Sequence, residues 1–327
     1  MKNSMNMIAW GHNPGQFAVK DTCDGATGKR VESAPYPAVI APWERSDDLG
    51  LNRRALLEAT VNGATYIGGQ FAARLPGAIR QMANGRLHAD SPIYAAFAQM
   101  SHQHIKLAQR ATVPVVIATA LPVAWRDDDA TAALEAHIRA GLRGKAHIRA
   151  LYVRSEPGAV VYHEMLDDDG NIRTDQKILA KGVICVADIG GATLNRAVLE
   201  EITALPGQAA SPLLGSKRAI DMLAQRDGIG FVDAEQRLRA AVSQPGRDTT
   251  ADIMLRQYQE AVVAELQQAW SAFNPVAYLI AGGTSHWVGG ALLRAFGAKA
   301  RVIDRPQQAV ATGLWRYAKR QIARLEK

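Results

Sequence analysis

A chain of 327 residues is longer than one small core needs and suits two domains of ordinary size. Its 48% apolar and 21% charged residues are those of a folded soluble protein, and no apolar run reaches the ~20 residues of a membrane span. The formal net charge of +7 is spread out: the densest groups, Arg139, Arg143, Lys145, Arg149 and Lys319, Arg320, Arg324, Lys327, read as solvated faces, so direct nucleic-acid binding is not expected. Cys23 and Cys185 have no spacing that points to a metal or a disulfide framework, and the apolar residues 7–10 are too few for a signal peptide, so a cytoplasmic location is expected.

Residues 6–22 read as a hairpin, with an apolar strand, then Asn13-Pro14-Gly15-Gln16-Phe17, then a second strand closing on Lys20, whose ammonium can reach a phosphate. Asn62-Gly63 marks a tight hairpin within residues 61–68. Apolar recurrence at three and four predicts a helix over 92–111, followed by a strand at 113–120. A helix over 129–142 and a strand at 148–153 come next, then a short helix between 160 and 175 with a polar turn at 167–171.

The second half opens at 181 with the most informative stretch, Val186-Ala187-Asp188-Ile189-Gly190-Gly191-Ala192-Thr193. Glycines at a hairpin tip let backbone amides approach an anion, and Asp188 can order a water on a divalent cation that accompanies a polyphosphate. An ordinary hairpin with a glycine-rich turn explains this local motif equally well. Helices follow over 216–226, 233–242 and 252–271, then a buried-type strand at 276–281 that ends in Gly282-Gly283-Thr284. A helix at 288–296, a strand at 301–304 and a closing helix at 309–325 complete the chain. Each half starts with strand, glycine turn, strand, which fits two related α/β halves across a cleft. Three glycine loops, each after an apolar strand, point to one nucleotide held from several sides.

In this order the motifs resemble the superfamily of actin, sugar kinases and heat-shock chaperone ATPases, and within it the bacterial and archaeal actin-like proteins of the ParM/StbA type. Asn13 to Lys20 resembles the first phosphate loop, and Asp188 to Thr193 the second. Val115 to Val123 resembles the strand ending in Gly-Leu-Pro, and Arg154-Ser155-Glu156-Pro157-Gly158 the segment with a Glu or Gln that leads into a helix. Ala281-Gly282-Gly283-Thr284, with Arg305-Pro306-Gln307-Gln308-Ala309 and Gly313, resembles the adenosine loop and its sequel.

The resemblance implies an α/β, actin-like fold of two RNase H-like domains flanking a nucleotide cleft: residues 1–180 with the helix 305–327 packing back on them, and 181–304. It implies an ATPase that binds ATP or ADP with Mg2+, self-assembles into a filament, and works in plasmid or DNA segregation or cytoskeletal positioning through a DNA-bound adaptor. The amides of Gly15, Gln16, Phe17, Gly190, Gly191, Ala192 and Thr193 would clamp the phosphates, with Lys20 adding charge. Asp188, and Asn13 through water, would hold the metal; Glu156 would orient the attacking water, the alternative for it being a solvated carboxylate at a helix N-terminus. Gly282, Gly283 and Thr284 would contact the adenosine, and Gly215, Lys217 and Arg218 the ribose. A scaffold with weak or absent hydrolysis and a metabolic kinase are the competing readings.

Asn13 stands where Asp is usual and Asn195 where an acid is frequent, and Gln308 and Val310 replace Phe and Asn. Loss of acids around the phosphates is expected to lower magnesium affinity and slow turnover more than it weakens binding. His102 and His104 fall on different helix faces and are expected at the surface or in caps, while Trp125, Trp270, Trp287 and Trp315 are expected in the core or at an interface.

Overall fold

The computed structural model describes residues 7–15, 17–25, 27–43, 56–75, 77–80, 93–107 and 112–326. In chain order, β1 (Ile8–Pro14), β2 (Ala18–Asp24), β3 (Arg30–Glu32) and β4 (Tyr36–Pro37) lead to β5 (Val39–Pro42). The hairpin β6 (Glu58–Val61) and β7 (Ala64–Gly68) turns at Asn62 and Gly63, both left-handed at φ 52° and 81°, as expected. Then come the single turn α1 (Gly69–Ala72), β8 (Ile79–Arg80), α2 (Ile93–His104), β9 (Val115–Leu121), α3 (Asp128–Leu142), β10 (Ile148–Ser155) and α4 (Glu156–Met165). The second half carries β11 (Val183–Ile189), β12 (Leu194–Glu200), β13 (Thr203–Ala210), α5 (Ser216–Asp227), α6 (Phe231–Ser243) and α7 (Thr249–Trp270). The chain closes with β14 (Ala277–Ala281), α8 (Ser285–Phe296), β15 (Ala300–Val302) and α9 (Ala309–Leu325).

Two sheets repeat one plan. The first runs β3-β2-β1-β9-β10 and the second β13-β12-β11-β14-β15. In both, the central strand (β1 or β11) pairs antiparallel with the strand after it and, on its other side, parallel with a later one (β9 or β14). The central strands β1, β9 and β11 are buried almost throughout because helices cover both faces of the sheets. A small third sheet runs β6-β7-β5-β8.

The cores set the layers. α2 and α3 pack on one face of the first sheet through Ile93, Phe97, Leu134 and Ile138. α5 to α8 cover the outer face of the second sheet around Ile220, Leu238, Leu266 and Trp270. Between the sheets lie α4 and α9, whose Val160, Val161, Leu314 and Trp315 share a core with Ala9 and Val116 of the first sheet and Ile184 and Leu279 of the second. Trp270, Trp287 and Trp315 are core residues, while Trp125 is half-buried.

Several boundaries differ from the sequence reading. The helix expected over 92–111 ends at His104, where Lys106 takes a left-handed conformation (φ 56°); residues 108–111 lie outside the described residues. The helix expected after residue 160 starts at Glu156, because the Ser155 hydroxyl caps the Gly158 amide at 3.2 Å. It ends before Asp167, whose carboxylate accepts the amides of Asp169 and Asn171 in the predicted polar turn. The edge strand β13 had no sequence signal: it contains Pro206 and Gly207, and a β-bulge offsets it from β12. His102 is buried, not at the surface, whereas His104 is exposed.

Candidate functional site

The two central hairpins carry the same register. Asn13 pairs across from Lys20 in β1–β2, and Asp188 across from Asn195 in β11–β12. Each hairpin therefore presents a polar residue on its first strand and another directly across on its second, with the same offset along the chain. The tips meet: a Cβ at Gly191 would overlap the Phe17 ring, so glycine is what allows them to approach. Gln16, the remaining predicted residue of the first tip, lies outside the described residues.

Between the tips is a cavity of about 100 Å3, lined by Gly15, Phe17, Lys20, Glu156, Asp188 and residues 190–193, and also by Asn195, Pro122, Gly283 and Gln307. Ten of the seventeen residues expected at the site thus share this lining. Glu156 enters from the N-terminus of α4 and is buried, which removes its reading as a solvated carboxylate. Its Oε2 accepts from the Asn195 amide. Burial first, and the nearby Asp188 carboxylate second, raise the Glu156 acid to about 8 against the pull of Lys20. Burial likewise raises Asp188, while Lys20 and the Asn195 amide pull it down.

Behind the cavity, three segments are tied together. The amides of Gly215, Ser216 and Lys217, at the start of α5, donate to the carbonyls of Ala192, Gly190 and Gly191 at 3.0, 3.2 and 2.8 Å. The Thr284 hydroxyl donates to the Gly190 carbonyl at 2.9 Å, and its amide to that of Ile189 at 3.0 Å. Gly282, at φ 93°, lies against the Ile189 backbone where a Cβ has no room. Gly215 and Thr284 thus brace the second tip. Lys217 instead pairs with Asp221, and Arg218 is exposed; neither lines this cavity or its neighbours.

Gly283 and Gln307 also line an adjoining groove of about 550 Å3, with Gly282, His286, Arg305 and Pro306, and with Arg239 of α6. His286 continues it into a further recess beside Trp287. This is room for a nucleoside next to room for its phosphates. Gly282, Gly283 and the segment Arg305-Pro306-Gln307 were marked in the sequence as the adenosine loop and its sequel; Arg239 and His286, which no local motif marks, were not. Sequence reasoning also left out Asn195 as a lining residue, although its seven-residue offset from Asp188 repeats that of Lys20 from Asn13.

The buried Oδ1 atoms of Asn13 and Asn195 have no hydrogen-bond partner, so each offers a free acceptor. The first lies beside Lys20, both near Gly15. Among the described residues no group of three His, Cys, Asp or Glu side chains converges to hold a metal. Such a set fits a hydrated ion carried by phosphate oxygens, the usual state of magnesium, and not a protein-caged ion.

No protein-family model and no curated protein matches this sequence. Solved structures do match. An archaeal actin homolog, Ta0583, superposes with a TM-score of 0.69 at 16% identity, over 96% of this chain and 99% of that one. Bacillus thuringiensis ParM with ATP gives 0.66 at 14%, over 98% and 100%. The Alp12 filament structure gives 0.69 at 14%, over 96% and 98%. The chain therefore has the actin-like α/β fold, close to that of ParM-type proteins, along nearly its whole length.

Proposed function

We propose that this protein is an actin-like ATPase that binds ATP with magnesium between its two halves and assembles into nucleotide-dependent filaments. The observation that carries this reading is the cavity between two matched hairpin tips, which gathers Lys20, Glu156, Asp188 and Asn195 with glycine-rich backbone. The halves are residues 1–180 with 305–327, and 181–304.

Amides of residues 15–17 and 190–193 and the Lys20 ammonium bind the phosphates. Asp188 and the Asn13 carbonyl would hold magnesium through its water shell, and the ion would supply charge neutralisation. Glu156, held by Asn195, orients the water that attacks the terminal phosphate. In its ionised form it can also accept that water's proton. Gly282 and Gly283 meet the adenosine side, and Thr284 and Gly215 brace the second tip behind the phosphates.

Related folds solved with ATP and as a filament support both halves of this reading. By the resemblance of its loops, the filament moves or positions DNA in the cytoplasm through a DNA-bound adaptor. Asn13 in place of an acid favours a second reading, a nucleotide-binding scaffold that turns over slowly or not at all. Phosphate release from ATP, measured for the wild type and for Asp188→Ala, tests the choice: release that depends on Asp188 supports the ATPase. Binding without release supports the scaffold.

A further inference from the structure

The tip cavity, the groove and the recess beside Trp287 follow one another, with Gly283 and Gln307 shared at the first boundary and His286 at the second. The recess measures about 460 Å3, the size of a small-molecule site, and lies between α7, α8 and the end of α6 with the loop after it. Val242, Leu255 and Ala291 give it an apolar side, while Arg256 of α7 and Arg294 of α8 supply positive charge. Arg294 stands eight residues beyond His286, roughly 12 Å along the helix, so its charge lies outside the nucleoside groove.

Neither arginine has a carboxylate partner among the described residues. Asp252, the one acid of the lining, sits a turn before Arg256 on α7, a spacing at which the two could pair. Its carboxylate instead accepts the Gly246 amide at 2.8 Å and ties down the loop after α6. Gly290 has no side chain to displace Arg294, whose Nη1 lies 3.6 Å from the place a Cβ would occupy. Trp287 is only 3% exposed, and its buried indole Nε1 has no acceptor. Gln259 fixes the backbone there, donating to the Trp287 carbonyl at 2.7 Å. A buried N–H without an acceptor is costly, and an incoming oxygen removes that cost. Two unpaired guanidinium forks and an indole N–H are donors only, which suits the oxygens of a phosphate group. A bound cation would find no free carboxylate here, and a bare inorganic anion would leave the apolar side uncovered.

We propose that this recess is a second ligand site and takes a small organic phosphate monoester. The phosphate meets Arg256 and Arg294, and the apolar body lies against Val242, Leu255 and Ala291. The proposal does not depend on the nucleotide reading. Arg256 and Arg294 are exposed, so replacing them spares the core.

The test uses the full chain without nucleotide and phenyl phosphate as the probe, followed by isothermal titration calorimetry. Saturable binding is expected, about 10-fold or more weaker in Arg256→Gln/Arg294→Gln and hardly changed in Arg143→Gln/Lys145→Gln, which removes the same charge elsewhere. Arg256→Gln and Arg294→Gln taken singly should each weaken it in the same direction, which guards against misfolding of the double variant. Inorganic phosphate should bind more weakly than the ester, because it covers none of the apolar side. No saturable binding, equal loss in the two double variants, or inorganic phosphate binding as tightly as the ester would overturn the site. So would binding that is lost in Lys20→Ala and kept in the Arg256/Arg294 variants, which would put the anion in the tip cavity.

Discussion

Asn195 stands directly across β11–β12 from Asp188, yet gives its amide to Glu156, a residue of the helix between the two sheets. One side chain thus joins the two carboxyl groups of the cavity and keeps a buried, unpartnered Oδ1. An amide in this place can hold the carboxylate with its N–H and accept from a water with its oxygen. In Asn195→Ala, phosphate release at saturating ATP is expected to fall roughly 10- to 100-fold while the KM for ATP changes little. Steady-state kinetics check this; a raised KM with unchanged kcat would make Asn195 a binding residue only.

Glu156→Gln keeps the shape of the side chain and removes its charge. Turnover should drop by about 100-fold or more with ATP binding retained, as expected for a group that positions and deprotonates water. Single-turnover phosphate release beside equilibrium ATP binding separates the two effects, and release at the wild-type rate removes Glu156 from the mechanism.

The raised Glu156 acid has a consequence for stability. Its ordinary value is 4.5, and in the fold it rises to about 8. Between these values the unfolded chain has lost a proton that the native protein keeps, so native stability falls as pH rises through the window and levels off above it. Asp188, also raised, acts in the same direction. The stability advantage of Glu156→Gln over the wild type should grow from about pH 5 to about pH 8. Urea unfolding of both proteins without nucleotide measures it, and an advantage independent of pH would show that Glu156 ionises freely.

Much of this was readable because the chain writes its site twice. Apolar runs ending in a polar residue and glycines located both hairpins, while their equal register emerged only from the strand pairing. The groove side was less legible: Arg239, His286 and Gln307 come together from α6, α8 and the approach to α9, and only the fold unites them. The β12–β13 turn was invisible because Glu201 and Ile202 take left-handed angles (φ 48° and 67°) without the Asn or Gly that usually announces them. The burial of Glu156 depends on the second half closing over the start of α4, which no local pattern encodes.

Gly282 is fixed by backbone geometry. Alanine there meets both the left-handed angle and the Ile189 backbone, so Gly282→Ala should destabilise the protein by about 1–3 kcal/mol. The urea midpoint reports this, and no shift would show that the loop relaxes freely.

Asn13→Asp puts an acid opposite Lys20 at the first hairpin tip. Magnesium should then support phosphate release at lower concentration, and the maximal rate should rise. A magnesium titration of turnover decides, and an unchanged curve removes the argument from lost charge.

The central claim, a nucleotide-gated filament, is tested most directly by ultracentrifuge pelleting with ATP, ADP and a nonhydrolysable analogue, with phosphate release followed in the same tubes. Pelleting is expected with ATP and with the analogue, then phosphate release and disassembly in the ATP tubes alone. No pelleting, or pelleting indifferent to nucleotide with no phosphate released, would contradict it.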